Sequence, residues 1–95
     1  MYQPKPLNTD AIELPEALEE LLETLAINTH EVWSQQRLND GWRYGQERDD
    51  QALLHPCLIP YDELSETEKE YDRNTSREVL KAILAAGFTI EKPKA

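Results

Sequence analysis

The chain has 95 residues, ten basic against nineteen acidic side chains and a formal charge of −9. That length suits one small domain with one core, and the charge disfavours nucleic acid and anionic membranes, whose phosphates call for Lys and Arg. Its one cysteine, Cys57, rules out an intrachain disulfide, and with no signal-peptide pattern and no span-length apolar run, a reducing cytoplasmic setting is expected.

Residues 1–13 read as an extended, proline-punctuated arm, because Pro4 and Pro6 keep their predecessors out of the helical region. Tyr2, Leu7, Ile12 and Leu14 are its candidate anchors. Pro15 suits the first position of a helix, where its missing N–H costs nothing. From there Leu18, Leu21, Leu22, Leu25, Thr29, Val32, Trp33 and Gln36 follow helical spacing. Glu16, Glu19, Glu20 and Glu23 place acidic charge near the N-terminus, where the helix dipole favours it, and Asn39-Asp40-Gly41 supplies a stop.

Residues 41–64 keep neither a helical nor an alternating period. They contain two Gly and two Pro, yet also Trp42, Tyr44, His55, Cys57 and Tyr61. Such a set predicts an ordered irregular connection, with a short helical turn around 51–54, and loops of this length are often functional. Ser65-Glu66-Thr67-Glu68 matches a capping box that opens a second helix. Tyr71, Thr75, Val79 and Ile83, with Leu80 and Leu84 beside them, form its expected apolar stripe. Thr75-Ser76-Arg77-Glu78 is a second capping match that marks a place for a kink near Asn74. Gly87 suits a left-handed C-cap. Residues 88–90 are expected as a short strand before a charged tail, 91–95.

The segments His30-Glu31-Val32-Trp33, Gly41-Trp42-Arg43-Tyr44-Gly45, Arg48-Asp49-Asp50, His55-Pro56-Cys57-Leu58 and Pro60-Tyr61 together resemble the RyR domain. That family comprises the paired cytoplasmic repeats of ryanodine receptors and stand-alone bacterial relatives. The likeness runs from about Pro4 to Ile90, and a single copy looks like the bacterial kind. The resemblance implies two long helices, a short strand component and an elaborate connection. It implies no established catalysis, a homodimer that reproduces the tandem pairing by an isologous contact, and recognition of adenine-containing nucleotides.

Five residues are candidates for a ligand site: Trp33, Trp42, Tyr44, Arg48 and Asp72. Trp33 is either a core or interface tryptophan or a platform on which a base stacks, alone or between two subunits. Asp72 can accept a hydrogen bond from an adenine amino group; some family members carry Asn there, and an aspartate keeps the acceptor without the donor. Trp42 and Tyr44, flanked by Gly41 and Gly45, either cover the helix pair or form a second ligand wall. Arg48 either pairs with its neighbouring aspartates or meets a phosphate, as Arg43 also can.

His30 and His55 lack partners at metal-ligand spacing, so no metal is expected. His55, before Pro56, is expected to hydrogen-bond backbone, and His30 to pack on a helix face. Cys57 has no CxxC partner and reads as a small buried hydrophobe. The expected fold is therefore mainly α, with two long helices joined by a long ordered irregular connection and short strand segments. The expected function is a ligand-binding module without catalysis or cofactor, acting as a homodimer; the alternative is a protein-interaction module with no small ligand.

Overall fold

Two antiparallel helices, α2 (Leu22–Asn39) and α3 (Glu66–Ala85), carry the fold in the computed structural model, which describes residues 1–94. Their antiparallel course shows in the ion pairs at one end. Glu23 reaches Arg73 at 2.7 Å, and Glu19, on the short preceding helix α1 (Glu16–Glu19), reaches Arg77 at 3.8 Å. The mainly α architecture with short strands is as the sequence implies.

The first helical run is bent where a straight helix was expected. Pro15 lies just outside α1 in extended backbone, and its carbonyl accepts from the Leu18 and Glu19 amides at 2.9 and 3.1 Å. At the junction with α2 the Leu21 amide turns to the Leu18 carbonyl, 3.1 Å away. This i−3 bond tightens the turn without any Pro or Gly at the bend. The buried line on this run is Leu18, Leu22, Ala26 and His30, at steps of four, with Trp33 and Arg37 continuing it half-buried. Val32 and Gln36, expected within the stripe, are exposed. Helix α2 ends on Gly41, at φ +95°, with the Gly41 amide bonded to the Leu38 carbonyl and the Trp42 amide to that of Arg37. That bond pair is a Schellman motif.

The connection holds two two-residue strands, β1 (Arg43–Tyr44) and β2 (Leu54–His55), paired in parallel with Arg43 opposite Leu54 and Tyr44 opposite His55. Gly45 is required where they approach: a Cβ there would stand 2.6 Å from the Leu54 Cβ. No helical turn forms at 51–54. Asp49 Oδ1 instead accepts from the Gln51 and Ala52 amides at 3.1 and 3.0 Å, and Leu53 takes φ +57°. Asp49 and Leu54 then exchange backbone hydrogen bonds of 3.0 and 2.9 Å. This asparagine-type turn is the alternative that acidic and amide side chains offer a backbone. A 3-10 turn, Tyr61–Glu63, leads to α3.

Ser65 caps α3 as predicted, its hydroxyl accepting from the Glu68 amide at 3.2 Å. Helix α3 runs unbroken through Asn74, so the second capping match opens no new helix; Ser76 instead donates its hydroxyl to the Asp72 carbonyl at 3.0 Å. The apolar stripe expected to be buried faces outward: Tyr71, Val79 and Ile83 are exposed, while Asp72, Arg73, Ser76, Arg77, Leu80 and Leu84 turn inward. Arg73 explains part of this reversal. It holds Glu23, Glu66 and Glu70, which lift its pKa further above the usual arginine range.

Helix α3 ends in a second Schellman motif at Gly87, φ +97°, with the Phe88 amide on the Ile83 carbonyl. Residues 88–90 form no strand; Ile90 packs against the leucines of the first helical run. The apolar interior has two clusters in place of one. Leu14, Leu18 and Leu22 meet Leu80, Leu84 and Ile90, whereas Ala26, Tyr61 and Leu64 meet Cys57 and Ile59. The arm is pinned at Leu14 and, unexpectedly, at buried Thr9, whose hydroxyl lies 2.9 and 3.1 Å from the two Glu78 oxygens. Tyr2 and Leu7, expected as anchors, are exposed.

Candidate functional site

Beyond Ala26, α2 presents His30, Trp33 and Arg37 toward the first turns of α3 and the paired strands. Together with Arg48, His55, Cys57, Leu64, Glu68 and Asp72 they line a cavity of about 300 Å³. That size lies at the small end of ligand pockets, and its mixture of aromatic and convergent polar groups is typical of them.

The aromatic wall is held by contacts between side chains. Trp33 stacks on His30 with ring centroids 5.7 Å apart and meets His55 edge-on at 4.9 Å. His30 is fixed by a 2.7 Å hydrogen bond from Nε2 to the Ile59 carbonyl. A carbonyl only accepts, so Nε2 carries the proton. His55 accepts the Cys57 amide at Nδ1, 3.0 Å away, the backbone role expected of it. Burial first, then Arg48 and Arg37, push its pKa down, so the ring is held neutral with its proton on Nε2.

Two cations face two carboxylates across this wall. The Arg37 guanidinium lies 4.7 Å from the Trp42 ring centre and 5.5 Å from that of Trp33. Such stacking holds a guanidinium by its face and leaves its in-plane N–H donors available. Among the described residues Arg37 makes no ion pair. Arg48 is paired with Asp50 at 2.8 Å, both exposed, so its charge is shared between that neighbour and the cavity. Opposite them, Asp72 has its pKa raised by burial and by Glu68, with His30 pulling the other way. Cys57 is likewise pushed up, by burial and then by Glu68 and Asp72, which keeps the thiol protonated.

Of the five residues singled out from the sequence, Trp33, Arg48 and Asp72 converge on this cavity. Trp42 is buried behind it, 6.2 Å from the His55 ring and beneath Arg37. Tyr44 is 56% exposed and borders a separate hollow with Leu38 and Leu58. Arg43 bonds the Trp42 carbonyl at 2.7 Å and does not line the cavity.

Arg37 and Glu68 were missed by sequence reasoning. Arg37 stands four residues after Trp33, a spacing that places both on one helix face and was available as a signal. Among the described residues no three His, Cys, Asp or Glu side chains gather as a metal site, and no helix is long and apolar enough to cross a membrane.

The family comparison agrees with this geometry over almost the whole chain. The RyR domain matches residues 2–92 of the 95, spanning the arm, both long helices, the paired strands and every residue of the cavity wall. The chain belongs to the RyR domain family.

Proposed function

We propose that this RyR domain is a non-catalytic binding module that recognises an adenine-containing nucleotide in the cavity beside Trp33. The observation that carries the reading is the placement of Arg37, a cation with no ion pair among the described residues, next to a fixed indole in a cavity also lined by a carboxylate. The Trp33 face offers a stacking surface for the base, worth about 1–3 kcal/mol for such contacts. Asp72 accepts from the exocyclic amino group, and the ordinary fork geometry of Arg37 and Arg48 suits phosphate oxygens. A low overall charge balance does not oppose this, since short-range donors dominate at a pocket.

The same chemistry argues for binding over turnover. Nucleophilic catalysis needs an activated side chain and a base that can take its proton. Cys57 is shifted away from the thiolate, and the Nδ1 of His55 is already engaged by backbone. The cavity is lined by residues of one protomer.

Isothermal titration of the purified chain with ATP, ADP, AMP, adenosine and GTP tests it. Saturable binding that prefers adenine, is lost in Trp33→Ala and weakens with fewer phosphates in Arg37→Gln supports the proposal. No heat with any of the five at millimolar concentration would favour the interaction-module alternative, for which the exposed stripe of α3 is the relevant observation.

A further inference from the structure

Asp72 lines the cavity half-buried and without a partner of its own. Among the described residues its carboxylate makes no ion pair, and the Ser76 hydroxyl goes to its backbone carbonyl rather than to its side chain. Such a group is costly to keep charged. Its neighbours come from three elements. On α3, Glu68 stands one turn before it, also half-buried and without an ion pair. Helix α2 presents His30 and Arg37, and the connection presents Arg48, His55 and Cys57. Arg37 is stacked on two indoles, Arg48 is paired with Asp50, and His55 and Cys57 are held neutral. Burial, and to a lesser degree Glu68, therefore push the Asp72 pKa up against the pull of His30.

The chemistry of the base supplies the other half of the argument. In adenine the exocyclic amino group is flanked on either side by a ring nitrogen that only accepts. An ionised carboxylate also only accepts, so one oxygen meets the amino donor while the other faces a lone pair. A protonated carboxyl sets a donor beside an acceptor and matches either edge of adenine. Guanine differs, because its ring N–H and amino group lie side by side as two donors, which suit the ionised form. We propose that Asp72 holds the base as a neutral acid, so that binding takes up one proton and that proton selects adenine over guanine. The inference rests on the adenine-nucleotide reading of the cavity and names how that site discriminates.

The proton comes from solvent and no bond of the ligand changes. One Asp72 oxygen gains the hydrogen and donates it to the ring nitrogen, while the second accepts from the amino N–H. Protonation and binding then reinforce each other, as linkage between two ligands requires. A stacked base excludes water from the carboxyl, and bound phosphates bring negative charge into the cavity. Both favour the neutral acid. Glu68 acts as a positioning residue for the proton, since its charge disfavours a second carboxylate one turn away.

The test is calorimetric titration of the full chain with adenosine, ATP and GTP between pH 8 and pH 6, in two buffers of different ionisation enthalpy. Adenosine carries no group that titrates in this range, so its proton uptake reports the protein directly and needs no variant. Its affinity should rise as pH falls, by at most about tenfold per pH unit, the limit for one proton. The ratio of ATP to GTP affinity should rise in the same direction, since both share the triphosphate. Asp72→Asn, which is always neutral and offers one donor beside one acceptor, should keep adenosine binding and lose the proton uptake. Glu68→Gln should move the rise in affinity to lower pH. Adenosine binding without proton uptake, or a pH slope that persists unchanged in D72N, would overturn the inference and leave the nucleotide site standing. No binding of adenosine or ATP at any pH would instead remove the reading on which it rests.

Discussion

The two ends of the α2–α3 pair are built on opposite principles. At one end Leu18 and Leu22 meet Leu80 and Leu84, and Leu14 and Ile90 close the cluster from the arm and the tail. At the other end the same two helices diverge in chemistry: His30, Trp33 and Arg37 face Glu68 and Asp72 around a cavity. Burial of apolar area stabilises the first end, at roughly 25 cal/mol per Å² removed from water. The second end spends surface on polar groups and empty space, and must be held open by its surroundings. Those surroundings are the connection, which braces Trp33 through His55 and places Arg48 at the rim. The comparison teaches that stability and recognition are divided along the helix axes, with the Arg73 ion-pair network between them.

Breaking the leucine end should have the largest effect on stability. Leu22 is 4% exposed, and Leu22→Ala is expected to cost about 2–5 kcal/mol, as large-to-small core changes do. Urea denaturation measures the loss. A cost under about 1 kcal/mol would show that this cluster does not anchor the helix pair.

Gly45→Ala tests the brace. Its added Cβ meets the Leu54 Cβ at 2.6 Å, so the strand pair must part, at an expected cost of about 1–3 kcal/mol. The displacement should be felt at His55, the residue after Leu54. Ligand binding should therefore fall in Gly45→Ala by more than its stability change explains, while helix content is kept. Binding equal to wild type would mean that the connection does not shape the cavity.

A smaller effect comes from pH and, in the histidine range, belongs to the cavity end. His55 has a folded pKa below its unfolded value, so the unfolded chain binds more protons as pH falls through about 6.5. Stability is therefore lost on acidification across that window. Glu23, held low chiefly by Arg73, loses stability in the same direction but in the carboxylate range, whereas Asp72, raised by burial, acts with the opposite sign there. Comparing urea midpoints at pH 7.5 and 5.5 should show a drop in wild type that shrinks in His55→Asn. An unchanged drop in the variant would assign the effect elsewhere.

Much of the scaffold was legible in the sequence because it rests on local chemistry. Ser65, Gly41 and Gly87 cap helices by rules that act within a few residues, and all three do so here. The faces of the helices were harder to read. On α3 the stripe of Tyr71, Val79 and Ile83 looks like a core, yet Asp72, Arg73 and Ser76 face inward because Glu23 and the Asp72 carbonyl satisfy Arg73 and Ser76 there. On α2 the buried positions include Ala26, too small to stand out, and His30, whose polar ring is satisfied only by the distant Ile59 carbonyl. The cavity itself depends on a strand pair of two residues each, too short for any periodic signal. Trp33, Arg48 and Asp72, singled out from the family resemblance and their chemistry, line the cavity, whereas Arg37, which also lines it, carries no motif of its own in the sequence.

The most direct test of the central claim uses the two tryptophans, one at the cavity and one behind it. In a ¹⁵N-labelled sample each contributes one indole N–H signal, assignable with Trp33→Phe and Trp42→Phe. Titration with ATP should shift the Trp33 signal strongly and saturably, move the Trp42 signal far less, and do neither with triphosphate alone at the same ionic strength. If the Trp33 signal stays still at millimolar ATP, the cavity is not an adenine nucleotide site and the account of the polar end is wrong.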